Sequence, residues 1–145
     1  VGKITKTAQK LIETTMESLA EGIKAARPGN TTGDIGYAIE RCVKKNKFSV
    51  VKSLTGHGIG KNLHEEPPVF NFGKPGTGTK LEPGMVIAIE PMVSVGSGKI
   101  RQLPDESFAT QEGDLSAHFE HTVAITSLGP KILTIDVLEN KAQAS

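Results

Sequence analysis

The longest unbroken apolar run in this chain is Met85-Val86-Ile87-Ala88-Ile89, and it ends abruptly in Glu90-Pro91-Met92. Side chains of an extended segment point alternately to opposite faces, so a run with no polar position reads as a strand buried on both sides. Such a strand needs a sheet around it and a second layer over that sheet. The first third of the chain offers the cover. Residues 3–26 carry Ile4, Ala8, Leu11, Ile12, Thr15, Leu19, Ile23 and Ala26 at steps of three and four, one face of a helix, with Lys and Glu around the rest. Pro28-Gly29 stops this helix, and Thr31 or Thr32 caps a second one, with Asp34 favouring its positive end. The buried stripe of the second helix is Ile35, Ala38, Ile39, Cys42 and Val43, and Asn46 is its expected left-handed terminal residue. Both helices are one-sided, so each is expected to lie on a sheet or on the other helix.

The remaining sequence reads as short strands. Phe48–Leu54 is a strand candidate leading into a glycine-histidine loop, and residues 61–80, rich in Pro, Gly, Asn and Thr, read as one long irregular segment. Glu82-Pro83-Gly84 turns the chain into the apolar strand. Val93–Val95, Lys99–Leu103 and Phe108–Thr110 follow as short strands between turns. Ser116–Thr126 is the clearest strand, with Ala117, Phe119, His121, Val123 and Ile125 alternating against polar neighbours, and Lys131–Ile135 is expected to pair with it. Two helices followed by a mostly antiparallel sheet make an α+β domain over residues 1–136, with 137–145 as a frayed tail.

Composition excludes several classes of function. The net charge of +1 leaves no electrostatic footprint for a direct nucleic-acid site. No apolar run approaches the roughly 18 residues of a membrane span, and the N-terminus lacks a signal-peptide layout. It starts at Val1-Gly2 as if cut from something longer. The single cysteine, Cys42, forbids an internal disulfide, suits a reducing cytoplasmic setting and, on the apolar stripe, reads as a buried structural residue.

Chemistry concentrates in four side chains. His57 lies within Thr55-Gly56-His57-Gly58-Ile59-Gly60, and His64 follows seven residues later in Leu63-His64-Glu65-Glu66-Pro67-Pro68. Glycines at that density allow positive φ or close approach of the backbone to a ligand. Glu90 closes the apolar strand, and Glu120 sits mid-strand with His118 on its own face. A carboxylate in a sheet needs cationic compensation. A Lys or Arg, for example Arg101, would supply it and leave the histidines incidental. Alternatively His57, Glu90 and Glu120 converge on a divalent metal as mixed N/O ligands. Spacing leaves both readings open, because only the fold can bring residues about thirty positions apart together.

Five motifs carry a resemblance. Gly56–Gly60, His64-Glu65-Glu66-Pro67, Leu81–Met85, Ile89-Glu90-Pro91-Met92 and Ser116-Ala117-His118-Phe119-Glu120-His121-Thr122 occur in the order seen in type I methionine aminopeptidases, and the likeness runs from Val1 to about Thr134. The resemblance implies part of the pita-bread fold and an enzyme that removes the N-terminal methionine from nascent polypeptides, near the ribosome in the cytoplasm. It also implies two divalent metal ions (Co, Mn, Fe or Zn) in a complete site. His57 and Glu90 would bind one metal and Glu120 would bridge both. His64 would contact the scissile amide and assist the reaction, and Leu63 would line the methionine pocket. The chain departs from the family in lacking two aspartate ligands and a histidine that lie upstream of Val1. None of Asp34, Asp105 and Asp114 replaces them. Leu63 also stands where Phe is usual, and no Trp occurs near Ser107 and Phe108. The resemblance is thus to the C-terminal part of the enzyme, and the chain alone is expected to be inactive. The rival readings are a proline-directed peptidase of the same fold and a non-catalytic pita-bread binding module.

Overall fold

The protein is described by a computed structural model over residues 2–135; the expected tail at 137–145 lies outside the described residues. Helix α1 (Lys6–Ala25) starts where the Ala8 amide donates to Thr5 Oγ1. Helix α2 (Thr32–Lys45) opens with a reciprocal capping box. The Asp34 amide donates to Thr31 Oγ1 at 3.3 Å, and the Thr31 amide donates to Asp34 Oδ2 at 2.8 Å. The left-handed residue after α2 is Lys47, at φ 64°, and not Asn46. The Asn46 amide still bonds into the last turn and its Nδ2 donates to the Cys42 carbonyl, so the helix unwinds one residue later than expected.

The buried face of α1 is Leu11, Thr14, Thr15, Ser18, Leu19, Gly22 and Ile23, whereas Ile4 and Ile12 are exposed. Ile4 lies before the Thr5 cap and so outside the helix, and Ile12 is left outside the contact because the helix packs through small residues. The Thr15 and Ser18 hydroxyls donate back to the Leu11 and Thr15 carbonyls, which lets them be buried without loss. A Cβ on Gly22 would run into the Ile39 and Ile89 side chains, so its absence seats α1 directly on α2 and on the central strand. Cys42 is buried as expected, and desolvation, aided by Glu17 and Glu21, pushes its thiol up to about 11.

The strands are β1 (Ser49–Val50), β2 (Gly56–Gly58), β3 (Glu65–Val69), β4 (Val86–Ile89), β5 (Met92–Ser94), β6 (Ile100–Gln102), β7 (Phe108–Thr110), β8 (Ser116–His118), β9 (His121–Thr126) and β10 (Gly129–Ile132). A five-stranded sheet has the order β10-β9-β4-β2-β3, a three-stranded one β1-β5-β8, and β6 and β7 form a hairpin; the pairings are antiparallel. As the apolar run predicts, Ile87, Ala88 and Ile89 of β4 are fully buried, in a core with Leu11, Leu19, Ile35, Ile39, Val43, Val123 and Ile125.

Three sequence expectations need correction. The glycine-histidine stretch is in part a strand: Gly56 and Gly58 lie in β2 without positive φ. Their value is close approach, since a Cβ on Gly56 would strike the Ala88 carbonyl of β4 and one on Gly58 the Glu66 carbonyl of β3. The segment 61–80 is not wholly irregular, because β3 runs through Pro67 and Pro68. Among the described residues it is an edge strand paired only to β2, where missing amide donors are tolerated. Ser116–Thr126 is two strands, β8 and β9, broken at Phe119-Glu120.

That break is the feature that positions the site. Ile89 pairs with His121 at the end of the β4–β9 ladder, and Met92 pairs with His118 at the start of the β5–β8 ladder. The register is therefore continuous across the gap, placing Glu90 opposite Glu120 and Pro91 opposite Phe119. One antiparallel ribbon passes from the large sheet into the small one and kinks where Pro91 can donate no ladder hydrogen bond. Across the kink the Phe119 amide reaches the Pro91 carbonyl at 3.5 Å.

Gly58→Ala tests the close seating of β2 against β3. A methyl there must displace backbone, so unfolding in urea is expected to show a loss of about 1–3 kcal/mol. Unchanged stability would mean that β3 does not pack on β2 as described.

Candidate metal centre

Glu90 is nearly enclosed, with 14 % of its side chain exposed, and its two oxygens face two different imidazoles. Oε1 lies 3.6 Å from His57 Nε2, and Oε2 lies 3.2 Å from His118 Nε2. The backbone of Glu90 is held from the β3–β4 connection, where Asn71, fully buried, donates from Nδ2 to the Glu90 carbonyl at 3.0 Å. The Asn71 Oδ1 has no partner among the described residues. Glu120 is exposed, and one ligating atom from each of Glu90, His118 and Glu120 falls within 4.8 Å of the others.

The tautomer of His57 follows from its neighbours. Its Nδ1 is 2.9 Å from the Gly58 carbonyl, and a carbonyl can only accept, so Nδ1 carries the hydrogen and Nε2 of the neutral ring is a bare lone pair. In that neutral form the lone pair faces a carboxylate oxygen. A cation placed between the two turns this repulsion into ligation. Tetrahedral ligands at ordinary Zn–N and Zn–O lengths are about 3.4 Å apart, close to the 3.6 Å between His57 Nε2 and Glu90 Oε1. The hydrogen bond behind the ring is the usual support of a metal-ligating histidine. The donor chemistry thus fits a divalent transition cation. Arg101 does not compensate Glu90: among the described residues no Lys or Arg pairs with Glu90 or Glu120, and Arg101 lies exposed on β6.

His64 sits on the exposed β2–β3 loop with its ring centroid 4.1 Å from that of His57, the planes tilted by 51°. Glu65 pins the loop, since its Oε1 accepts from the Asn62 amide at 2.8 Å and from Asn62 Nδ2 at 3.3 Å. Leu63 is 68 % exposed on the same loop. Phe108 lines a cavity of about 300 Å³ beside His118, together with Val51, Leu54, Met92 and Ala117. Asp34 and Asp105 are committed elsewhere, to the α2 cap and to a turn with Ser107.

The structure places His57 beside Glu90 and His64 against His57, leaves Leu63 in solvent, and brings the ligating atoms of Glu90 and Glu120 together with His118 rather than with His57. Sequence reasoning did not single out His118, Asn71 or Glu65. His118 carried a signal, because it lies two residues from Glu120 on the same strand face. Asn71 and Glu65 carried none, since their roles depend on contacts with backbone distant in space or inside a loop.

The profile of metallopeptidase family M24 matches residues 1–127. Methionine aminopeptidase from Clostridium perfringens is 51% identical over 136 residues, a match that covers 93% of this chain and 55% of that protein. The crystal structure of methionine aminopeptidase from Thermotoga maritima superposes with a TM-score of 0.91 at 41% identity, covering 94% of this chain and 55% of that one. Prolidase from Pyrococcus furiosus is less similar, at 26% identity and a TM-score of 0.72 over 94% of this chain and 35% of that one. The architecture is part of the pita-bread fold, and the chain spans about half the length of the methionine aminopeptidases it matches.

The hydrogen bond to Glu90 holds the His118 imidazole above its ordinary pKa; partial burial opposes this, and the charges of Glu90 and Glu120 reinforce it. In metal-free protein the pair then adds stability below the ordinary imidazole value and loses it as pH rises through the raised one. Exposure keeps the contribution small. Glu90→Gln is expected to lower the His118 pKa, read by NMR titration in the presence of a chelator. An unchanged value would show that the Glu90–His118 pair does not form in solution.

Proposed function

The chain belongs to metallopeptidase family M24, and on that premise we propose that it carries part of the active site of an aminopeptidase that removes the N-terminal methionine from nascent proteins. The observation that carries this reading is the kinked ribbon, which sets Glu90 opposite Glu120 with the bare Nε2 of His57 turned toward Glu90. The greater likeness to methionine aminopeptidases than to prolidase favours methionine over proline-directed specificity. Nascent chains emerging from ribosomes in the cytoplasm are the substrate pool this activity implies. No helix among the described residues is long and apolar enough to cross a membrane.

In this reading His57, Glu90 and Glu120 hold the divalent cations, Co, Mn, Fe or Zn, two to a complete site. Metals so held polarise the scissile carbonyl and make water nucleophilic near neutral pH. The chain's own residues do the rest. Gly58 fixes the His57 tautomer through its carbonyl, and Asn71 fixes the Glu90 backbone. His64, on a loop pinned by Glu65 and beside the His57 ring, would donate a hydrogen bond to the substrate amide as charge develops there. Leu63, exposed on the same loop, would line the methionine pocket.

Charge sets a limit on the isolated chain. Two divalent cations bring four positive charges, and Glu90 and Glu120 return two negative ones. Asp34 and Asp105 are already committed, and a buried excess of charge is unfavourable. Little turnover of a Met-Gly peptide is expected from the 145-residue chain by itself, with Co(II) or Mn(II) present. Fused to the half of the Clostridium perfringens enzyme that it does not match, it is expected to release methionine, and His57→Ala in the fusion to abolish both release and metal binding. A folded, metal-loaded fusion that releases no methionine would overturn the proposed activity.

In the same fusion, His64→Ala is expected to lower kcat by about 10²–10³-fold, the usual effect of removing one well-placed donor, with metal stoichiometry unchanged. Loss of metal as severe as in His57→Ala, or full kcat, would show that the two histidines do not divide the roles in this way.

A further inference from the structure

We propose that Glu65 is a positioning residue for His64: its carboxylate ties the two limbs of the β2–β3 loop together and so sets the imidazole against His57. The inference rests on the reading of His64 as the group that contacts the substrate amide, and it adds that this role depends on a side chain outside the set of metal ligands. The loop needs such a tie. Gly60, Lys61, Asn62, Leu63 and His64 are all exposed, so no buried side chain anchors the tip. Its fixed points are Ile59, whose amide donates to the Val86 carbonyl at 2.8 Å, and Glu65, which pairs with Gly58 at the start of β3. An exposed segment with few packed contacts opens readily.

The Glu65 side chain supplies the restraint that packing does not. From the start of the returning strand, its Oε1 reaches back to accept from the Asn62 amide at 2.8 Å and from Asn62 Nδ2 at 3.3 Å. Hydrogen bonds to an ionised acceptor are stronger than those between neutral groups. The Gly60 amide donates to the Asn62 carbonyl at 3.2 Å, so the outgoing limb is folded onto the same residue. Gly60 leaves room for the carboxylate, because a Cβ there would run into Glu65 Oε2. His64 lies between the tied residues 62 and 65, its ring centroid 4.1 Å from that of His57. Glu65 forms no ion pair with His64, or with any Lys or Arg, among the described residues, so its effect on the imidazole passes through the backbone. A plain surface hydrogen bond would explain the contact with Asn62 alone. A clasp also accounts for the residue without a side chain that faces the carboxylate.

The test uses Glu65→Ala, Glu65→Gln and Gly60→Ala, the last displacing the carboxylate while leaving it in the chain. In the 145-residue chain, NMR reads exchange of the Asn62 amide and the contact between the His57 and His64 rings. Glu65→Ala and Gly60→Ala are expected to speed that exchange by about 10-fold or more and to abolish the ring contact. Glutamine keeps an acceptor oxygen and is expected to retain much of both. In the fusion with the Clostridium perfringens half, Glu65→Ala is expected to lower kcat by up to about 10²-fold, the scale on which a misplacement of roughly 1 Å acts, with metal stoichiometry, KM and Tm unchanged. Once His64 is replaced by Ala it should cost nothing further. Parent-like exchange and ring contact in Glu65→Ala would overturn the inference, as would undiminished kcat or a full additional loss in the His64→Ala background. A metal-loaded parent fusion that releases no methionine would instead sink the aminopeptidase reading, and the ring contact would still decide whether Glu65 holds His64 in place.

Discussion

Two carboxylates held opposite each other on paired strands repel, and like charges across a ladder are destabilising. The rest of this site is arranged around that repulsion. The register that sets Glu90 against Glu120 is enforced by the apolar residues flanking the kink, because a slip of one position would turn the buried face of β4 or β9 outward. Imidazoles approach Glu90 from both sides, and one of them presents a lone pair where a proton donor would have been the simple remedy. Such an arrangement is well matched to a positive ion.

The helical layer is what makes so strained a grouping tolerable. Gly22 allows α1 to rest on both Ile39 and Ile89, so the residue immediately before Glu90 is clamped between a helix and its own sheet. Close-packed interiors of this kind have little freedom to relax. Glu90 cannot retreat from its partners by shifting the end of β4, and Asn71 holds its carbonyl from the other direction.

Much of this was legible in the sequence, for identifiable reasons. The apolar run read as a doubly buried strand, and a threonine cap followed by Asp34 and an apolar stripe announced α2. What the pattern missed lay where side-chain periodicity stops being informative. Ile4 looked buried because the spacing ran on past the Thr5 cap, and Ile12 because apolar spacing cannot register that α1 packs through Ser18 and Gly22. Pro67 and Pro68 hid β3, since proline argues against a strand except at an edge. The alternation from Ala117 to Ile125 ran unbroken through Phe119-Glu120, because the register really is continuous there; only the partner's Pro91 forces the ribbon to kink. The candidate ligands His57, Glu90 and Glu120 stand out through linked motifs, whereas the approach of His118 to Glu90 appears only in the fold, which brings the two together across a ladder.

The kinked ribbon also separates what may vary from what may not. Between Ser94 and Ser116 the chain leaves the β5–β8 ladder, wanders through the β6–β7 hairpin and returns. Residues inserted or deleted in that excursion would alter the outer loop while both carboxylates kept their places, since each is anchored by pairing on its own side. A single insertion between Ile89 and Met92, or between His118 and His121, would instead throw the two ladders out of step and carry one glutamate away from the other. Length variation should therefore gather in the hairpin and be excluded from these two short spans, giving the molecule a freely remodelled rim beside a centre of fixed dimensions.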